Sequence, residues 1–153
     1  MKIQGELVAE KLKIGVVTAR FNLEVTEKLE NGAVEYLASK GLKPEDLLVV
    51  RVPGAFEVPL AVKYLLERGV DGVIALGAVI RGETTHYDYV CNAVERGCSQ
   101  LQLEYGKPVA FGVLTTEDDD QALARAGGKH GNKGREAAEV VLEMIDLKRQ
   151  LRL

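Results

Sequence analysis

The chain has 153 residues, a length that fits one domain. With 46% hydrophobic and 28% charged residues it reads as an ordinary globular protein, and a net charge of −3 excludes an overall basic field for nucleic acid. No apolar run reaches the roughly 18 residues needed to span a bilayer, and Met1-Lys-Ile-Gln-Gly-Glu6 lacks the apolar core of a secretory signal, so a cytoplasmic location is expected.

Residues 2–8 are a candidate edge strand. Lys13–Ala19 is short, β-branched and apolar, as a buried strand should be. Asn22 is placed to cap a helix that carries Val25, Leu29, Ala33, Tyr36 and Leu37 at helical spacing and stops at Gly41. Leu47–Val52 is a second strand, broken by Pro53-Gly54. The next helix runs from Val58 to Arg68 before Gly69, with Pro59 tolerable only in its first turn. Gly72–Val79 is a third strand. A long helix from Tyr87 to Tyr105 places Val90, Val94, Cys98, Leu101 and Tyr105 on one stripe. Pro108–Thr115 is a fourth strand. Glu117–Asp120 puts carboxylates at the start of a short helix, where the macrodipole favours them. That helix ends near Gly127-Gly128, and a last helix from about Asn132 turns Ala137, Val141, Met144 and Ile145 inward.

Cys91 and Cys98 are seven apart on a helix, about 10 Å along its axis. That separation is too long for a disulfide, and both read as small buried apolar residues. His86 and His130 lie far apart in sequence, so no metal site is expected.

Strands and helices that alternate in this way predict a parallel sheet covered on both faces. With right-handed crossovers the expectation is an α/β protein: a three-layer α/β/α, flavodoxin-like sandwich on a four-stranded parallel sheet, with the candidate N-terminal edge strand added. Residues 1–153 are expected to form a single domain.

In such sheets ligands bind at the carboxyl ends of the strands. Three segments fall there: Arg20-Phe-Asn22, Pro53-Gly-Ala-Phe-Glu57, and Ile80 to His86. They would bring two aromatic rings (Phe21 and Phe56), a carboxylate (Glu57) and an imidazole (His86) into one crevice. That set suits a flat heterocycle with hydrogen-bonding edges. Gly82, Glu83, Thr84 and Thr85, ahead of a helix start, could offer N–H groups and hydroxyls to an anion. Each residue also has a plainer reading: Phe21 as a hydrophobic staple, Phe56 as core, Glu57 as a carboxylate at a helix N-terminus, His86 as a cap. A second cluster holds Arg125, Lys129, Lys133 and Arg135, with His130 able to add a charge, among Gly127, Gly128, Gly131 and Gly134. It reads as a phosphate or anion site, or equally as a solvated helix–helix connection. It matches neither the Walker A spacing nor a strand-linked G-x-G-x-x-G, which counts against ATPase and dinucleotide chemistry.

Five segments in order resemble the lumazine synthase family: Arg20-Phe-Asn22, Val52-Pro-Gly-Ala-Phe-Glu57, Gly77 to Tyr89, Lys107-Pro-Val-Ala-Phe-Gly112, and Arg125 to Gly134. The resemblance covers almost the whole chain. It implies condensation of 5-amino-6-(D-ribitylamino)uracil with 3,4-dihydroxy-2-butanone 4-phosphate to 6,7-dimethyl-8-ribityllumazine, phosphate and water. This is the penultimate step of riboflavin biosynthesis, and it uses no cofactor and no metal. By the same resemblance Phe21 stacks on the pyrimidine. Ala55, Phe56 and Glu57 hold it and its ribityl chain, and Ala78, Val79 and Ile80 give backbone contacts. Glu83 and Thr84 bind phosphate, and His86 transfers protons. Apart from the resemblance, Asp88 lies two residues on from His86, a spacing from which it could orient the ring. Phe111, Arg125 and Lys133 would reach an adjacent subunit's site, with Arg125 and Lys133 serving the phosphate. Phe56 stands where the family often has tryptophan, which keeps the ring and loses an N–H donor. The resemblance further implies a homo-pentamer. The uninterrupted Gly-Gly-Lys-His-Gly-Asn-Lys-Gly link favours an icosahedral 60-mer, with riboflavin synthase as a partner it could enclose. The competing readings are a non-catalytic flavin- or pteridine-binding module and a shell protein with a vestigial site. His86 and the basic link favour catalysis over both.

Overall fold

The computed structural model describes residues 1–153. Four parallel strands form the sheet: β1 (Ile14–Ala19), β2 (Leu47–Val52), β3 (Gly72–Ile80) and β4 (Val109–Thr116), in the order β2-β1-β3-β4. The helices are α1 (Leu23–Ser39), α2 (Val58–Glu67), α3 (His86–Tyr105), α4 (Asp119–Ala124) and α5 (Lys133–Gln150). The expected class, with four parallel strands between helices, is what forms.

Burial explains the order. β3 is buried from Gly72 to Val79, as a central strand's continuous apolar run requires, whereas β2 alternates between half-buried and exposed, as an edge strand does. One core, with Leu29, Leu37, Ile74 and Leu142, lies between the sheet and α1 with α5. The other, with Val58, Val62, Val73 and Val94, lies under α2 and α3. Each such side chain fully buried stabilises the fold by roughly 1.5–3 kcal/mol before entropy is counted. No helix is long and apolar enough to cross a membrane.

Register sets the geometry of the rim. β1 pairs with β3 only as far as Thr18 with Leu76. β3 then runs on to Ile80 beside β4, Ile80 opposite Thr116. The chain leaving β1 turns towards β2 instead, with the Arg20 N–H donating to the Val52 carbonyl (2.8 Å) and the Phe21 N–H to the Pro53 carbonyl (3.0 Å). A notch opens between the diverging ends.

Four expectations are corrected. Residues 2–8 form no strand of this sheet. The segment lies along α5: the Glu6 N–H donates to the Asp146 carboxylate (2.8 Å), and the Gln150 amide donates to the Gln4 carbonyl (2.9 Å). Met144 is 45% exposed, because the inward stripe of α5 runs through Ala137, Ala138, Val141 and Leu142 and leaves it on the flank. Cys98 is buried, but Cys91 only half so. Burial pushes the Cys98 thiol up to about 12, which leaves it protonated at neutral pH. Between α4 and α5 the chain makes a small antiparallel hairpin, β5 (Ala126–Gly128) with β6 (Gly131–Asn132), where only a helix–helix link was expected.

That hairpin's glycines serve two purposes. Gly127 and Gly131 adopt φ values of 96° and 80°, which favour glycine. Gly134 does something else: a Cβ there would collide with the Leu29 carbonyl of α1, so glycine lets α5 press onto α1. Asn132 fastens the same junction. Its Oδ1 accepts from the Arg135 N–H (3.0 Å), capping α5, and its Nδ2 donates to the Lys28 carbonyl (3.0 Å).

Candidate active site

A cavity of about 640 Å³ occupies the notch at the strand ends. Phe21, Ala55, Phe56, Glu57, Ala78, Val79, Ile80, Thr84 and His86 all line it. Three loops that are distant in sequence therefore meet along one rim, as a parallel sheet of this order requires.

The lining is built by turn chemistry. After β2, Pro53-Gly54 turns the chain into a tight 3-10 turn over Ala55–Glu57, which runs directly into α2 with Pro59 in its first turn. The open space beside Gly54 lies between the Glu57 carboxylate and the Phe21 Cβ: a methyl placed there would sit 3.7 Å from Glu57 Oε2 and 4.0 Å from that Cβ. The second and first strand ends are thus neighbours. Phe21 is 71% exposed and Phe56 64%, so neither ring is core. Phe21 is not a staple either, because the helix position it would clasp is the polar Thr26. Both rings stand open on the cavity wall.

After β3, the Arg81 N–H donates to the Thr116 carbonyl (2.9 Å) and extends the β3–β4 ladder by one rung. The chain then turns through Gly82–Thr85 into α3, whose first residue is His86. The His86 N–H donates to Thr84 Oγ1 (3.3 Å), and the imidazole has no hydrogen-bond partner within the chain. Asp88 does not orient it. The Asp88 carboxylate faces Arg81 (3.6 Å), whose guanidinium also pairs with Glu117 (2.8 Å) and stacks on the Tyr87 ring, 4.2 Å from its centre. Arg81 thereby ties the ends of β3 and β4 to the start of α3.

Glu83, Phe111, Arg125 and Lys133 do not line this chain's cavity. Glu83 is exposed on the turn. Phe111 lies in mid-strand on β4, opposite Ala75, and is 37% exposed at the open edge of the sheet. The Arg125 guanidinium donates to the Gln121 carbonyl (2.9 Å) at the end of α4.

Sequence reasoning missed Tyr87 and Val90, which line the cavity from the first turns of α3. Their positions one and four residues after His86 carry the signal, since a helix start facing a ligand presents its first turns. Asn22 also lines the cavity, but its side chain does not cap α1.

Comparison with known proteins identifies the family. The sequence model of the 6,7-dimethyl-8-ribityllumazine synthase family matches residues 11–149. A 6,7-dimethyl-8-ribityllumazine synthase of Bdellovibrio bacteriovorus is 58% identical over 141 residues, covering 92% of this chain and 78% of the relative. One of Pediococcus pentosaceus is 51% identical over 148 residues, covering 96% of this chain and 95% of the relative. With a match running from ahead of the first strand almost to the end of the last helix, the chain belongs to the 6,7-dimethyl-8-ribityllumazine synthase family, the enzymes that form this lumazine in riboflavin biosynthesis.

Proposed function

We propose that the cavity at the strand ends binds 5-amino-6-(D-ribitylamino)uracil and joins it to 3,4-dihydroxy-2-butanone 4-phosphate. The observation that carries this reading is the meeting of Phe21, Glu57 and His86 in one cavity. Phe21 stacks on the pyrimidine. Ala55, Phe56, Glu57 and the backbone of Ala78, Val79 and Ile80 read its edges and its ribityl hydroxyls. The exposed turn of Glu83 and Thr84, at the N-terminus of the 20-residue helix α3, receives the phosphate through backbone N–H groups.

The chemistry needs no covalent enzyme intermediate and no cofactor. The 5-amino group attacks the ketone, water leaves to give a Schiff base, phosphate departs, and ring closure loses a second water. Holding the two substrates in one orientation contributes up to about 7–11 kcal/mol in favourable systems. Proton transfer by His86 adds about 10²–10⁴-fold. An imidazole with both nitrogens uncommitted within the chain is free to take that role.

Phe111, Arg125 and Lys133 complete the site of a neighbouring copy. Their place outside this chain's own cavity, on the open β4 edge and the basic hairpin, supports that arrangement. In this reading one domain, residues 1–153, is the repeating unit of a pentamer. Twelve pentamers close into a 60-subunit shell able to enclose riboflavin synthase, in the cytoplasm. Mixing the two substrates tests the activity, with lumazine absorbance and phosphate release rising together; pyrimidine binding without product would contradict it. Light scattering tests the assembly, and a mass near one pentamer would remove the shell.

A further inference from the structure

We infer that Asn22 is a positioning residue: its side-chain amide replaces the rung that β1 does not supply and fixes the spacing of the two cavity walls that clasp the heterocycle. The inference rests on the proposed pyrimidine site.

Two independent observations meet at this residue. Its backbone is left-handed, φ 65° and ψ 44°, a conformation asparagine tolerates better than other non-glycine residues. Its Nδ2 donates to the Ala78 carbonyl at 2.8 Å, 56 residues away. Capping does not account for that side chain, because the Asn22 carbonyl alone starts the helix, accepting from the Val25 and Thr26 N–H groups (2.9 and 3.0 Å). The register shows why an amide is needed there. β1–β3 pairing ends at Thr18 with Leu76, so the Ala78 carbonyl, on the β1 side, has no strand to bond. A partly buried backbone carbonyl left unpaired is unfavourable. The left-handed turn swings Asn22 back so that its amide meets this group.

The consequence falls on Phe21. Its own N–H is held by the Pro53 carbonyl, and its neighbour's side chain is held by Ala78. Consecutive residues thus fasten the end of β1 to β2 on one side and to β3 on the other. Phe21 and Ala78–Ile80 line the same cavity, and the Asn22 bond ties the segment that carries the Phe21 ring to the strand end that carries Ala78–Ile80.

The test compares Asn22→Gly, Asn22→Asp and Phe21→Ala with the wild type in steady-state assays that vary each substrate in turn, together with thermal melts. Asn22→Gly keeps the left-handed backbone without strain and deletes the donor. Asn22→Asp keeps the shape and turns an oxygen onto the Ala78 carbonyl. Both are expected to raise the KM for the pyrimidine by about five- to tenfold, the size of one lost hydrogen bond, with the KM for the butanone phosphate unchanged. A lowered melting temperature with both KM values unchanged would assign Asn22 a purely structural part and overturn the inference. So would wild-type KM values in both Asn22 variants when Phe21→Ala raises the pyrimidine KM. If Phe21→Ala also leaves that KM unchanged, the cavity is not the pyrimidine site, and the inference falls with it.

Discussion

The rim formed by the ends of β1, β2 and β3 differs in construction from the open β4 edge and from the basic hairpin. At the rim, Phe21, Glu57 and His86 converge on a concave space, and backbone hydrogen bonds from Arg20, Phe21 and Arg81 fasten the converging loops to neighbouring strands. Elsewhere, Phe111 lies at an unpaired sheet edge and Arg125 is bonded to its own helix, and neither lines the rim cavity. Yet the family motifs cover both regions. The cavity gathers most of the candidate site residues and leaves Glu83, Phe111, Arg125 and Lys133 outside it. The proposed resolution is a heterologous contact, in which the rim of one copy meets the hairpin of the next and closes a ring.

The largest expected effect is on the rim. His86→Ala should lower kcat by about 10²–10⁴-fold with pyrimidine binding retained. Equal turnover in single-turnover assays would remove His86 from the mechanism. Arg125→Ala should raise the KM for the butanone phosphate by about ten- to a hundredfold, the size of a lost charge-assisted contact, and leave the pyrimidine KM alone. A parallel rise in both would deny Arg125 a phosphate role. Gly134→Ala attacks the seat of the hairpin, since its methyl would collide with the Leu29 carbonyl. A loss of about 1–3 kcal/mol in the unfolding free energy from denaturant titration is expected, with the Phe21 side of the cavity still binding pyrimidine. If pyrimidine binding were lost as well, the two regions would not be separable.

The smallest effect concerns Glu30, whose carboxylate takes two hydrogen bonds from Arg51 (2.9 and 3.1 Å), one residue before the rim begins. Burial works against its ionisation, but the Arg51 hydrogen bonds and charge outweigh burial and hold its carboxyl below the ordinary range. A lowered pKa means the stabilisation is whole above the unfolded value and is lost as pH falls through the folded one. Glu30→Gln should therefore cost about 1 kcal/mol at neutral pH, near the low end because Arg51 is partly solvated, and the difference from wild type should close as pH falls below the ordinary carboxylate range. A difference that persisted in acid would point to packing.

Much of this was legible in the sequence because β1, β2, β3 and β4 are short apolar runs with sharp ends. Their alternation with helical stripes leaves few arrangements, and the strand ends then bring Phe21, Phe56, Glu57 and His86 together without further information. What was not legible depended on contacts with no local pattern. Residues 2–8 have the composition of an edge strand, and only the Asp146 and Gln150 side chains, nearly the whole chain away, decide that they lie on α5. Asn22 carries the identity of a helix cap, and its use as a strand rung follows from the unequal lengths of β1 and β3, which no single segment displays. The choice of a synthase over a binding module came from the sequence motifs, with His86 and the basic link among them, and the relatives bear it out; the cavity alone does not decide it, because stacking rings and amide edges suit either.

The most direct test of a site divided between copies is complementation. His86→Ala chains, slow at any substrate level, and Arg125→Ala chains, slow when the butanone phosphate is held well below their raised KM, are unfolded, mixed in equal amounts, refolded together and assayed at that low concentration. If the rim of one copy is completed by the hairpin of the next, about one site in four draws both intact groups from different chains, and lumazine synthesis returns to that fraction of wild type. Mixed assemblies that stay as slow as either parent would show that both groups must come from the same chain, and the divided site would be wrong.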